Sequence, residues 1–252
     1  MPDCVTLTIK RQDSPESKPY WQTFRVPYEE NMNVISCLQR IAANPVTAEG
    51  ERTTPVVWDC NCLEEVCGAC SMVINGFVQQ SCTALVDKLL AERPEGIRLE
   101  PMTKFPVVRD LMVDRSRMFD ALKRVKAWIP VDGYYHLGPG PRIARNEQEA
   151  AYPLSRCMTC GCCLEACPQV NDSSGFIGAA AISQVVLFNL HPTGKLDAPE
   201  RLEALMGPGG ISECGNAQNC VKVCPKNIPL TDSIAKASRA TTAHAIRRWL
   251  AK

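Results

Sequence analysis

The chain opens on an alternating pattern. In CVTLTIKR (residues 4–11), Val5, Leu7 and Ile9 are separated by Thr and Lys, the period of two that marks a half-buried β-strand. YWQTFRVPY (20–28) predicts its hairpin partner, reached through the turn-rich segment 12–19. The period then lengthens: in NVISCLQRIAAN, Val34, Ile35, Leu38 and Ile41 fall on one helical face, with Asn33 placed as N-cap. SMVI and FVQ flank Asn75-Gly76, a tight-hairpin signal, and IRLEP (97–101) closes the region as another short strand. Strands folded over one helix in this order predict a small α+β domain in residues 1–106.

After Pro106 the spacing becomes helical. Leu111 through Phe119 and Leu122 predict a helix, and 176–190, 198–206 and 229–250 predict three more. Segment 130–154, with its Pro, Gly and Tyr, shows no clear periodicity and reads as a long loop. Residues 107–252 are therefore expected to form a mostly α-helical domain, with no long internal repeat or low-complexity tract.

Hydrophobic residues make up 45% of the chain and charged residues 22%, as in a folded soluble protein. The net charge of +1 gives no bulk attraction for nucleic acid. No run approaches the roughly 20 apolar residues that span a bilayer. MPDCVTLTIKRQD has neither an apolar signal core nor the character of an Arg-rich presequence, so the chain is expected to stay in a bacterial-type cytoplasm.

Cysteine changes this picture. There are fifteen, most of them in three runs at 60–82, 157–167 and 214–224. That compartment keeps thiols reduced, the number is odd, and neighbours such as Cys162 and Cys163 cannot all pair internally without strain. Metal or cluster ligation accounts for them better than disulfides.

In the first run, Cys62-x4-Cys67-x2-Cys70 is followed by Cys82, the plant-type arrangement for a 2Fe–2S cluster. Gly68 lets the backbone approach closely, and the fourth ligand arrives across the Asn75-Gly76 hairpin. Zinc is the alternative, although only Cys67 and Cys70 form a CxxC pair. Cys60 stands outside the pattern as a bystander.

The second run, CMTCGCCLEACP, reads C-x2-C-x2-C-x3-C-P on Cys157, Cys160, Cys163 and Cys167. In that bacterial-ferredoxin spacing the fourth cysteine ligates the other cluster. Cys162 is left over as a packed thiol. The third run, Cys214-x5-Cys220-x3-Cys224-Pro225, completes the sets. Cys224 crosses to join Cys157, Cys160 and Cys163 on a 4Fe–4S cluster. Cys167, Cys214 and Cys220 remain for the other cluster, and Ala217 stands where the parallel run has Cys160. Three thiolates with a missing corner predict 3Fe–4S; the rival is 4Fe–4S with a labile non-cysteine ligand. Eleven of the fifteen cysteines are thus assigned, leaving Cys4, Cys37, Cys60 and Cys162.

Other constellations are weak. His136, His191 and His244 are isolated and read as structural or solvent-facing. GPGPR (138–142) and GPGGI (207–211) lack the strand–helix context of a dinucleotide site. The tail AHAIRRWLAK, with Arg247, Arg248, Trp249 and Lys252, reads as a solvated helix end, with partner docking as the alternative.

CLEEVCGACSMVINGFVQQSC, FPVVRDLMVD, SRCMTCGCCLEACP and CGNAQNCVKVCPKNIPL together resemble the iron–sulfur subunit of the succinate:quinone oxidoreductase and quinol:fumarate reductase family over nearly the whole chain. The resemblance implies a β-grasp 2Fe–2S ferredoxin domain followed by an α-helical ferredoxin domain. It implies electron transfer from the flavin of an FAD-containing partner subunit through 2Fe–2S, 4Fe–4S and 3Fe–4S clusters to quinone. Succinate is then oxidised to fumarate, or fumarate reduced if the direction is opposite. The subunit supplies wiring, and no catalytic residue is expected in it. A zinc-stabilised interaction module and a soluble ferredoxin acting alone are the competing readings.

Two departures from the family pattern stand out. Many members have Gly where Glu65 stands, so the first cluster loop is expected to run differently. Many ubiquinone-linked members carry tryptophans after the cysteine matching Cys167 and a His after the one matching Cys214. Here those stretches read Pro168-Gln-Val-Asn-Asp172 and Cys214-Gly215. The resemblance is closer to the menaquinone-linked bacterial branch, which implies a membrane anchor carrying haem b and a peripheral position on the cytoplasmic face of the cell membrane.

Overall fold

A computed structural model describes residues 3–129 and 142–251 of the chain. His136 and all but the last residue of GPGPR lie outside the described residues. Two compact units are present, Met1–Arg115 with Met158–Glu165, and Ser116–Cys157 with Ala166–Lys252.

In the first unit, strand β1 (Cys4–Arg11) pairs antiparallel with β2 (Tyr20–Pro27), from Cys4 opposite Pro27 to Arg11 opposite Tyr20. Val5, Leu7 and Ile9 are fully buried, as their alternation predicts. Helix α1 (Val34–Ala43) begins at Asn33, whose Oδ1 accepts from Ser36 N at 2.9 Å in a capping box. Strands β3 (Ser71–Ile74) and β4 (Phe77–Gln80) form the expected hairpin. Its turn residues Asn75 and Gly76 take φ of 51° and 87°, the positive values a type I′ turn requires. A short helix not foreseen from spacing, α2 (Val86–Glu92), precedes β5 (Ile97–Glu100). The sheet order is β2-β1-β5-β3-β4, with β5 parallel to β1 and antiparallel to β3. The buried face of α1 shares one core with Leu7, Ile9, Ile74 and Leu99. A mixed sheet with its parallel pair in the centre and a helix packed into the sheet's core is a β-grasp arrangement.

The helix expected from Leu111 begins later than its spacing suggests. Residues Val107–Arg109 (β6) and Met112–Val113 (β7) form a two-stranded hairpin instead. Its turn carries Asp110 at φ 48°. The fully buried Asp110 carboxylate accepts from Arg11 Nε at 2.7 Å, Gln12 N at 3.1 Å and Val57 N at 2.9 Å. An ion pair out of water needs such extra hydrogen bonds to offset desolvation, and that requirement overrides local helical spacing.

The second unit is helical. It contains α3 (Ser116–Arg124) and α4 (Arg145–Ser155); the single-turn α5 (Cys162–Glu165) belongs to the first unit. Then follow α6 (Gly178–Leu190), α7 (Ala198–Met206), α8 (Asn219–Lys222) and α9 (Leu230–Leu250). Helix α6 is apolar almost all round and packs against α4, α7 and α9. Helix α4 replaces the end of the predicted loop 130–154. Only its Leu154 is buried and Pro153 lies inside it, so no apolar stripe announces it. Among the described residues no helix is long and apolar enough to cross a membrane.

Candidate metal centres

None of the fifteen cysteines is in a disulfide. The first run wraps through a loop with three left-handed residues, Leu63 (φ 62°), Glu65 (φ 57°) and Gly68 (φ 72°). That curl turns successive amides onto one sulfur: Cys62 Sγ accepts from Glu64 N at 3.5 Å, Val66 N at 3.2 Å and Cys67 N at 3.3 Å. These N–H groups, Glu64 first, bring the Cys62 thiol down to about 7. A site that stabilises thiolate before any metal arrives suits iron–sulfur ligation. Ala69 N points likewise at Cys67 Sγ, at 3.4 Å.

Glu65 was expected to alter the loop. It adopts the left-handed conformation that a glycine supplies freely, at a cost of about 1–2 kcal/mol for a side-chain-bearing residue. Its carboxylate accepts from Thr83 Oγ1 at 3.1 Å, next to Cys82. That bond ties the loop to the residue after Cys82.

The four thiols sort into two interacting pairs, Cys62 with Cys67 and Cys70 with Cys82. Burial, and then Cys82, push the Cys70 thiol up to about 12. Two pairs suit a cluster of two irons, each taking two thiolates. A tetrahedral zinc site needs all four sulfurs about 2.3 Å from one point. Among the described residues no three His, Cys, Asp or Glu gather around a single ion position.

Cys160 and Cys163 lie on Met158–Glu165, which packs with the first unit. Gly68 shows why: a Cβ there would sit 2.7 Å from Met158 O and 2.9 Å from Cys160 Cα. The glycine thus makes room for the next cysteine loop. Arg115 donates to Gly68 O at 2.6 Å and also to Ala69 O. At the far end of the segment, the Glu165 carboxylate accepts from Thr103 N at 2.9 Å, Thr103 Oγ1 at 2.6 Å and Lys104 N at 2.9 Å. Cys160 is raised by its hydrogen bond to Cys162 and by burial.

Cys157 and Cys224 lie in the second unit with Cys167, Cys214 and Cys220. Cys220 is raised by burial, and Cys167 and Cys214 add to the rise. Ala217 lies between Asn216 (φ 53°) and Gln218 (φ 59°). Cys160 lies between Thr159 (φ 53°) and Gly161 (φ 88°). The two loops therefore share one backbone pattern, and alanine occupies the position that cysteine holds in the other.

The unassigned cysteines are dispersed. Cys4 and Cys60 are exposed, Cys37 is in the sheet core with its thiol pushed up to about 12 by burial, and Cys162 is buried. His191 Nδ1 accepts from Thr193 N and Gly194 N, each at 3.2 Å, and His244 Nε2 sits 2.8 Å from Glu203 Oε1. Both histidines are structural. Trp249 and Leu250 are exposed at the end of α9.

Residues 6–120 match the model of the 2Fe-2S iron-sulfur cluster binding domain, and residues 153–228 match that of the 4Fe-4S dicluster domain. The succinate dehydrogenase iron-sulfur subunit of Bacillus subtilis (strain 168) is 62% identical over 97% of this chain and 95% of its own. The chain belongs to the succinate dehydrogenase and fumarate reductase iron–sulfur subunit family. Within that family, the fumarate reductase iron-sulfur subunit of Wolinella succinogenes is 29% identical over 92% of this chain and 94% of its own. A chain of the Mycobacterium smegmatis Sdh1 complex in the apo form shares the fold, with a TM-score of 0.77 at 23% identity, covering 99% of this chain and 98% of that one.

Proposed function

We propose that this protein is the electron-transfer iron–sulfur subunit of a succinate dehydrogenase. The observation that carries the reading is the 62% identity to a succinate dehydrogenase iron-sulfur subunit along nearly the whole chain. The fumarate reductase relative stands much further away, at 29%, which favours succinate oxidation over the reverse direction.

A β-grasp domain, 1–106, holds 2Fe–2S through Cys62, Cys67, Cys70 and Cys82. An α-helical ferredoxin domain, 107–252, holds 4Fe–4S through Cys157, Cys160, Cys163 and Cys224, and 3Fe–4S through Cys167, Cys214 and Cys220. Bound clusters supply one-electron relays between the flavin of a partner subunit and quinone. The chain's own part is to hold them at fixed places, to aim amides at their sulfurs and to limit solvent, which together set potential. An FAD-containing subunit and a membrane-anchor subunit complete the enzyme. The missing ubiquinone-site side chains after Cys167 and Cys214 favour menaquinone and a haem b anchor, with this subunit peripheral on the cytoplasmic face.

EPR of the anaerobically purified complex, as isolated and after reduction, tests this. Three cluster signals are expected, 3Fe–4S in the oxidised state and 2Fe–2S and 4Fe–4S after full chemical reduction, together with no succinate oxidation by the separated, flavin-free chain. Zinc in place of iron, or turnover by the chain alone, overturns it.

A further inference from the structure

Cys162 is the cysteine that the ligand sets leave unexplained inside a ligand loop. It is fully buried, and so are its polar neighbours Ser71 and Gln80. Ser71 follows the 2Fe–2S ligand Cys70 directly in the chain, and Gln80 ends the paired strand, with Ser71 opposite it in register. The Ser71 hydroxyl donates to the backbone carbonyl of Cys160, a ligand of the next cluster, at 2.7 Å. Gln80 Nε2 donates to Ser71 Oγ at 2.6 Å and to Cys162 Sγ at 3.4 Å. Gln80 Oε1 lies 3.5 Å from Cys70 Sγ.

The donors and acceptors have one economical assignment. Ser71 has a single proton and two acceptors in range, Cys160 O and, at 3.2 Å, Gly68 O. Gln80 takes up an acceptor lone pair on Ser71, so the proton remains free to point away from it, at the shorter contact on Cys160. Cys162 receives the second amide hydrogen, so both Nε2 hydrogens are used. A buried polar trio of this kind is stabilising only when every member is satisfied. One hydrogen bond thus separates the residue after Cys70 from the peptide of Cys160.

We propose that Ser71, directed by Gln80 and packed by Cys162, is a positioning bridge that locks the Cys160 loop onto the 2Fe–2S strand pair and raises the potential of the 4Fe–4S cluster. The proposal rests on the ligand sets given above. A hydroxyl donating to the Cys160 carbonyl offsets partial negative charge beside that ligand. The cluster therefore accepts an electron more readily than it would beside an unpaired carbonyl.

The test is a redox titration of the assembled complex by EPR and magnetic circular dichroism. Wild type showing all three clusters is the control, and their absence there sinks the ligand sets rather than the bridge. In Ser71→Ala the 4Fe–4S ratio of reduced to oxidised form should fall about threefold or more at fixed ambient potential. The 3Fe–4S titration should stay where it was, and Ser71→Thr should recover the 4Fe–4S value. Gln80→Met, which keeps Ser71 but removes its director, should move the ratio the same way by less, and serves if Ser71→Ala does not assemble. Cys162→Ala should retain all three clusters. Superimposable 4Fe–4S titrations in both Ser71→Ala and Gln80→Met, with only thermal stability lowered, would reduce the bridge to packing. Loss of 4Fe–4S iron in Cys162→Ala would make Cys162 a ligand and overturn its place in the bridge.

Discussion

The loops 157–163 and 214–220 run through one backbone pattern and differ at its centre. Left-handed residues flank Cys160 in one and Ala217 in the other. On the proposed ligand sets, the local fold is therefore not what separates a four-thiolate set from a three-thiolate set. A single side chain is, and the backbone around it is built as though a ligand stood there in both. Cluster type in this reading is a matter of composition laid on a duplicated conformation, and it can be exchanged without redesigning either loop.

The largest effects should come from the crossing ligands. Cys167→Ser should first disturb the oxidised-state signal of the 3Fe–4S cluster, and Cys224→Ser the 4Fe–4S cluster, each with loss of most electron delivery to quinone. EPR of the two variants, side by side, checks the assignment. Interchanged spectral effects would dissolve the comparison, because each loop would then serve its own cluster.

Next in size is the exchange at the centre. Ala217→Cys adds a thiolate where the parallel loop has Cys160. The cluster should capture a fourth iron and shift to lower potential within the span of roughly −700 to +450 mV open to such centres. Quinone reduction should slow while an artificial acceptor at the flavin is still reduced. Iron counting and redox-titrated EPR read both changes. The mirror variant, Cys160→Ala, should leave a three-iron centre in the other loop. If Ala217→Cys kept its three-iron signal in fully loaded protein, residue 217 would not face the empty corner.

The 2Fe-2S and 4Fe-4S dicluster domains were legible because the spacing within each cysteine run is a local property. Val5, Leu7, Ile9, Asn33 and the Asn75-Gly76 turn were legible for the same reason, since each acts within a few residues. What escaped depends on distant partners. The hairpin at 107–113 owes its turn to Asp110 meeting Arg11, almost a hundred residues earlier, and the helical spacing of Leu111 and Phe119 masked it. Helix α4 has one buried residue and so no stripe to detect. At Glu65 the left-handed backbone and its Thr83 hydrogen bond likewise depend on a partner eighteen residues away. The Ser71–Gln80–Cys162 trio had no signal at all: three ordinary residues, the last more than eighty positions from the others.

A smaller contrast concerns the glycines on which the two loops rest. At Gly68 a Cβ would meet backbone, Met158 O at 2.7 Å, with φ at 72°. At Gly215 it would meet only the flexible end of Gln169, Nε2 at 2.5 Å, and no positive φ is involved. Gly68→Ala should cost about 2–4 kcal/mol from overpacking and left-handed strain together, and should loosen both the 2Fe–2S loop and the Cys160 loop. Gly215→Ala should cost about 1 kcal/mol or less once Gln169 swings away. Thermal retention of cluster absorbance separates them, and equal losses would show that Gln169 is as immovable as backbone.

The smallest effect lies in the left-handed residues themselves. Thr159 and Asn216 share φ of 53°. A β-branched side chain is a genuine outlier there, whereas asparagine is enriched in that region. Thr159→Asn should therefore relieve about 1 kcal/mol of strain in the Cys160 loop without the unfolded-state entropy that glycine adds. Asn216→Gly should gain almost nothing, since its small relief is offset by that same entropy. Because a chain with clusters does not unfold in two states, the proper readout is local: amide hydrogen exchange across 158–165 and across 214–220. Slower exchange in the first segment of Thr159→Asn, beside unchanged exchange in the second segment of Asn216→Gly, is the expected pair. Equal responses would mean that the two loops differ neither in strain nor in what their residues contribute to it, and the contrast would shrink to the one side chain at 160 and 217.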